Sequence, residues 1–328
     1  MLIQSNRILK RIIFLFIFFI PLLSPAQTDS TYIGFFDQEL SIRPYVYDKF
    51  TALTHEIGNH DDEVIYRPNN PFGIGIGVTW KNISLSGGYG FDFMRNKKKG
   101  KTRSLDFQYH YYGRKFVMDF FFSNYKGFFT EDEKKEGVYE LFPNLKLRQY
   151  GMFGQYVFNG RKFSYKAAYS QNEKQLKSAG SFLLGGGIYY NYFSSDSILV
   201  EGVSNNFNNY QIGVSGGYAY TWVIKKRYFL SGSMSVGVNF GTESLSKIHK
   251  VEIYPSLFPR ISLGYNADTW SIALSGVNNK VYVHFEDRSK LSFDTGSLQI
   301  SFVKRFSIVP KFMRNIDWQP PSFYPSGL

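Results

Sequence analysis

Residue types able to do acid–base or metal chemistry are sparse in this chain. There are five histidines: His55, His60, His110, His249 and His284. None begins the His-x-Ser-Asn-Gly run of a phospholipase-type barrel: Tyr111-Tyr112-Gly113 follows His110, and Phe285-Glu286-Asp287 follows His284. His55-Glu56 and His60-Asp61-Asp62-Glu63 could offer imidazole and carboxylate ligands to a divalent cation, but first read as a solvated polar loop. The mixed-sign run Glu131–Glu136 reads the same way. Gly185-Gly186-Gly187 lacks the strand-to-helix setting of a phosphate cradle and reads as a bend where side chains must clear. With no Cys at all, thiolate ligands and thiol nucleophiles are excluded. The chain is therefore not expected to be an enzyme, and no catalytic residue, metal or cofactor is assigned.

One constellation stands out. If Gly113-Arg114 is a two-residue turn, Asp106, Gln108, His110 and Asp119 share one face. Gln108 then faces Asp119, with Asp106 its diagonal neighbour at roughly 7–8 Å. Two carboxylates that close need a counter-charge or one raised pKa. Lys166 lies on the corresponding face if Asn159-Gly160 is a turn, and is the candidate partner. These five residues are lumen candidates, either as plain polar lining or as a charged constriction that selects solutes.

The elements that must carry them are strands. In Phe72–Phe91, Ile74, Ile76, Val78 and Trp80 alternate with Gly73, Gly75, Gly77 and Thr79, and Ile83, Leu85 and Tyr89 continue the pattern beyond Lys81-Asn82. A two-residue turn there sorts both faces, Trp80 with Ile83 and Thr79 with Ser84. The Gly113-Arg114 turn pairs Tyr111 with Phe116 and Tyr109 with Met118. The Asn159-Gly160 turn, a strong hairpin signal, pairs Tyr156 with Phe163 and Met152 with Ala167. A Lys225–Arg227 turn pairs Trp222 with Leu230 and Tyr218 with Met234. An Ala267-Asp268 turn pairs Tyr265 with Trp270 and Leu263 with Ile272. Each hairpin presents one apolar face, the period of a membrane-spanning strand; a water-soluble sandwich shares that alternation.

Composition and export decide between them. The 328 residues include 33 Phe, 25 Tyr, 4 Trp and 30 Gly. Residues 1–26 form a signal peptide: Arg7, Lys10 and Arg11 precede the apolar run Ile12–Leu23, and Ser24-Pro25-Ala26 offers a cleavage site. That apolar run is short for a span, which needs about 20 residues. No later stretch is a candidate transmembrane helix, so a closed barrel is the remaining way to cross lipid. Of the formal charge of +12, the leader carries three, leaving +9, mostly in turns and loops. Solvated loops and anionic lipid account for it better than nucleic acid.

The expected fold is all-β, an antiparallel up-and-down transmembrane β-barrel of about 12 strands, with 14 the alternative. The count turns on 173–208, where candidates at 162–172, 178–193 and 208–224 leave an odd number. An N-terminal lead (27–38) precedes the barrel (39–306), and a proline-rich periplasmic tail (307–328) follows it. Longer loops are expected near 52–71, 93–101, 126–144, 241–250 and 284–292. The last strand alternates Leu298, Ile300 and Phe302, ends on Phe306, and looks like a signal for barrel-assembly machinery.

Tyr66-Arg67-Pro68-Asn69, Thr102–Phe129 and Lys177–Phe182 resemble an uncharacterised outer-membrane β-barrel family of Bacteroidota. The resemblance, over roughly 30–306, implies fold and location and brings no ligand or functional residue. The expected role is an outer-membrane conduit or binding pocket for a small or hydrophobic solute. The alternative is a structural or assembly barrel whose tail reaches a periplasmic partner, and a lipid-modifying enzyme is more distant. The expected surroundings are outer-membrane lipid and the assembly machinery, with no nucleic acid.

Overall fold

A computed structural model describes residues 28–38, 40–58, 62–70, 72–80, 83–131, 137–197, 199, 205–242, 251–286 and 289–307. The leader, His60 and residues 308–328 lie outside the described residues, so the expectations placed on them do as well.

The strands are β1 (Ile33–Gly34), β2 (Leu40–Ile57), β3 (Asp62–Tyr66), β4 (Gly73–Trp80), β5 (Ile83–Gly90), β6 (Arg103–Tyr112), β7 (Phe116–Glu131), β8 (Tyr139–Val157), β9 (Lys174–Gln175), β10 (Ala179–Ser194), β11 (Asn206–Ile224), β12 (Tyr228–Thr242), β13 (Glu252–Asn266), β14 (Trp270–Glu286) and β15 (Ser289–Phe306). Twelve form one antiparallel path, β5-β4-β2-β15-β14-β13-β12-β11-β10-β8-β7-β6, and β3 extends it by pairing with β2 beyond the end of β4. The rings of Phe153 on β8 and Phe258 on β13 stack at 3.9 Å. Thr295 on β15 donates to Gln149 on β8 at 2.6 Å. Strands far apart in the path therefore touch through the interior, and the sheet is rolled into a barrel. Its two edge strands, β5 and β6, do not pair with each other among the described residues. Nearer the loops, β3 and a two-way backbone bridge between Arg67 and Phe129 (2.9 Å each way) span that gap.

The facing is inverted relative to a soluble protein. On β11, Ile212, Val214, Tyr218 and Trp222 point outward and are exposed, while Gln211, Ser215 and Thr221 are buried inside. Outward Tyr210 and Tyr220 on the same strand belong to two aromatic girdles. One runs Phe122–Tyr150–Tyr190–Tyr210 with ring spacings of 4.5, 5.6 and 4.9 Å. The other includes Tyr220–Trp222 and, further round, Tyr228–Tyr265–Trp270. Ten positions at about 3.3 Å each, tilted by about 40°, separate them by about 25 Å, the height of a bilayer's apolar band. The single rolled sheet also removes the sandwich alternative.

One end, the turn end, carries 113–115, 225–227 and 267–269. The other, the loop end, carries the longer connections, with short 3-10 turns at Asp92–Met94 and Lys97–Lys99. The strands reach further into the loop end than expected: β7 runs to Glu131, β8 starts at Tyr139, and β14 and β15 leave only 287–288 between them.

Three sequence-based pairings need correction. The β6–β7 and β13–β14 registers are displaced by two residues: Tyr109 faces Phe120 and Tyr265 faces Ile272. The bond from Gly113 N to Phe116 O (2.7 Å) closes a longer turn than the one expected. A two-residue slip preserves the faces, so inward residues stay inward. The third departure is larger. Asn159-Gly160 does not join a hairpin, and 162–172 is not a strand. Lys162 and Phe163 both donate to Asn159 O (3.0 and 2.9 Å), starting a compact turn that leads to a π-turn at Lys166–Ser170. β8 pairs with β10 instead, Tyr156 facing Leu184. The barrel thus reaches 12 strands because this segment lies inside it. Gly185-Gly186-Gly187 is extended strand within β10, not a bend; a Cβ at Gly185 would lie 2.0 Å from Gly154 O, a close inter-strand approach that only glycine permits.

Candidate functional site

Inward residues fill the lumen in layers. At the turn end, the 158–178 segment inserts Phe163, Tyr165, Ala168 and Tyr169 among Val117, Leu183 and Phe229. Ser164 donates to Glu173 (2.7 Å), which pairs with Arg114 (2.6 Å). The buried Gln171, at φ 51°, accepts from Arg305 through its carbonyl, and the Arg305 guanidinium lies 3.3 Å from the Phe36 ring centroid. β1 and β9 form a small two-stranded sheet that ties the N-terminal lead to this plug. Outside the bilayer, Lys174 hydrogen-bonds Asp268 at 3.1 Å and holds its carboxyl below the usual range.

The next layer is ionic. His110 Nδ1 lies 2.6 Å from Asp119 Oδ1, and Arg260 on β13 hydrogen-bonds the same carboxylate. Arg260 and Asp119 are both almost fully buried. Tyr112 stacks on His110 at 6.2 Å and on Tyr169 at 5.6 Å. Beyond it come an apolar layer (Phe121, Phe153, Tyr189, Phe258 and Val281) and an amide layer. In the latter, Gln149 donates to Asn191 (3.1 Å) and Asn239 to Gln211 (2.8 Å). Leu53, Tyr125, Leu147, Phe193 and Phe293 close the stack toward the loops. These bonds satisfy part of the layer's polar groups, while Asn191 Nδ2 and Asn209 Nδ2 are buried without a partner.

Of the five lumen candidates, the structure brings His110 and Asp119 together. Asp106 faces Ser123 instead, accepts from Tyr125 (2.5 Å) and lies 3.7 Å from Lys49. It is not a neighbour of Asp119, and the two carboxylates do not share a counter-charge. Gln108 faces Phe121, and its side-chain nitrogen is buried without a partner. Lys166 sits in the π-turn, off the sheet; the cation beside Asp119 is Arg260. Sequence reasoning missed Arg260, although Ile261 and Leu263 as outward residues already put a cation at an inward mid-strand position.

A cavity of about 680 Å³ opens at the loop end, with Asp48, Lys49, Arg67, Asn69, Lys280 and Asp294 in its wall. Lys280 pairs with Glu56 at 2.9 Å, and Thr54 donates to Asp294 at 3.1 Å. The Tyr66–Asn69 motif anchors one side. Asn69 donates from its side chain to Asn96 O (2.8 Å) and Gly100 O (2.7 Å), and its backbone N–H donates to Thr102 Oγ1 (2.8 Å). Thr102 in turn donates to Gly127 O (2.7 Å). Gly127 has φ 92°, and a Cβ there would lie 2.3 Å from Lys101 O, so glycine is required. His55 is buried on the inward face of β2, while Glu56 pairs with Lys280 on the other; the two do not share a ligand. Among the described residues, no group of three or more potential metal ligands occurs.

A rolled antiparallel sheet with an apolar girdled exterior and a packed polar interior is a transmembrane β-barrel. The chain belongs to the family described as Domain of unknown function (DUF4421), which matches residues 27–306. No curated protein sequence matches it. Among solved structures, it is similar to the outer-membrane protease OmpT of Escherichia coli, with 8% identity, 82% of this chain and 97% of that chain covered, and a TM-score of 0.34. It is also similar to the translocator domain of the autotransporter NalP of Neisseria meningitidis (12% identity, 82% and 88% covered, TM-score 0.35). A third is the toluene transporter TodX of P. putida (8% identity, 83% and 91% covered, TM-score 0.24). No activity transfers to this chain at that distance.

Proposed function

We propose that this is an exported, non-enzymatic barrel of a Bacteroidota outer membrane. Its turn end faces the periplasm, and its loop end holds a small polar solute. The observation that carries this reading is the loop-end cavity, walled by charges of both signs from the outward face of β2, β14 and β15, beside a lumen filled layer by layer. Such a cavity suits a solute bearing both charge signs better than a hydrocarbon. The stacked layers favour a binding pocket over a permanently open conduit. The His110–Asp119 pair has the form of a base and its orienter, and here the Asp119 carboxylate also bonds the buried Arg260.

Planar-bilayer recording of the purified protein tests the closed state, and a thermal-shift panel of small zwitterions tests the pocket. The expected result is a silent barrel and a stabilising solute whose effect is lost in Lys280→Ala. A steady ohmic conductance of the wild type overturns the pocket reading in favour of a conduit.

A further inference from the structure

A second feature lies on the outside of the barrel. Strand register places Arg103 on β6 beside Lys126 on β7, and Lys126 beside Lys146 on β8. All three point outward in one row near the loop end. Arg148 follows one outward step below Lys146, with its guanidinium 5.3 Å from the Tyr192 ring centroid. No ion pair neutralises any of the four among the described residues. The nearest carboxylate in register, Asp196, lies past Ser194, the partner of Lys146, and is held by Asn144 at 2.5 Å.

The next outward step below Arg148 is Tyr150, in the loop-end aromatic girdle. There a groove of about 700 Å³ opens on the lipid-facing surface, walled mainly by Tyr150, Met152, Ile188, Tyr190, Ile212 and Phe240. Gly151 and Gly241 border it. Lys146 and Arg148 therefore stand at the head of an apolar groove that runs toward the bilayer centre, with Lys126 and Arg103 flanking them on β7 and β6.

We propose that this face is a binding site for a phosphorylated, multiply acylated lipid of the outer leaflet. The phosphate lies against Lys126, Lys146 and Arg148, and an acyl chain fills the groove. Charge complementarity selects the head group, since Arg and Lys are the usual phosphate partners. The groove selects an acylated molecule over a free anion. The site depends on membrane insertion and is independent of the loop-end cavity.

The test uses the full-length barrel in detergent, with native mass spectrometry reading retained lipid. The probes are phosphorylated lipid A and the same lipid A after phosphatase treatment. The wild type is expected to retain the phosphorylated form at least about tenfold better, the scale of two or more lost basic contacts. Lys146→Gln with Arg148→Gln should abolish that preference, and Lys146→Arg with Arg148→Lys should keep it. Lys225→Gln with Lys226→Gln, at the opposite end, should change nothing. Equal retention of the two lipids by the wild type overturns the proposal and needs no variant to fold. Displacement of lipid A by inorganic phosphate alone also overturns it, in favour of a free-anion site.

Discussion

Arg260 on β13 and Asp119 on β7 meet across the barrel interior, and neither side chain reaches solvent. Removing one partner leaves the other charged and buried. Asp119→Asn is expected to destabilise the barrel by about 3–5 kcal/mol. Replacing both residues with apolar side chains of similar volume should cost much less. Urea unfolding of the folded, heat-modifiable species measures both. A double variant no more stable than Asp119→Asn would mean that the pair is not the dominant interaction at this level.

Phe120 is outward and Gln108 inward on adjacent strands. Phe120→Arg places a charge in lipid and should cost about 2–4 kcal/mol if it sits near the midplane. Gln108→Arg meets a polar interior with Asp106 and Asp119 nearby and should be milder. The folded fraction on unheated gels compares them, and equal losses would contradict the facing.

The layers make opening a cumulative event. Replacing Arg161–Lys177 with a short glycine-serine turn removes only the turn-end plug. Phe153 and Phe258 still stack across the lumen at 3.9 Å. Conductance is expected to appear only when plug removal is combined with Phe153→Ala and Phe258→Ala. Currents from the plug deletion alone would show that the apolar layer does not seal.

The pairing of β15 with β2 ends at Phe306 and Leu40. Deletion of 311–328 is expected to leave membrane assembly unchanged, because that segment lacks strand alternation and carries Pro320, Pro321 and Pro325. Deletion from Phe306 onward should impair assembly by shortening the β15–β2 seam. Recovery of protein in the membrane fraction reads both, and failure of the shorter deletion would make the tail part of the fold.

Facing was legible because side-chain parity survives a two-residue slip. Register was legible where turn chemistry was simple. The β4–β5 and β11–β12 partners follow from the sequence, the latter helped by Lys225 and Lys226, both at positive φ. Asn159-Gly160 misled because Phe163, Tyr165, Ala167 and Tyr169 have strand-like spacing, yet their apolar side serves the interior. The site was less legible. His110 and Asp119 lie on one hairpin, so local pairing can join them. Arg260 reaches Asp119 through the barrel, and no short-range pattern encodes a contact across a diameter.

The unpaired edges of β5 and β6 give the molecule a mechanical grain. Elsewhere along the path, neighbouring strands are stitched by continuous backbone bonds, whereas here the nearby links are Lys49 to Asp106 at 3.7 Å and the bridge at Arg67. Pulled apart, the cylinder has a preferred line of tearing, as a rolled sheet of paper opens along its overlap. A load that spreads the wall from within should therefore part it first between β5 and β6, with β10 to β13 among the last regions to give way.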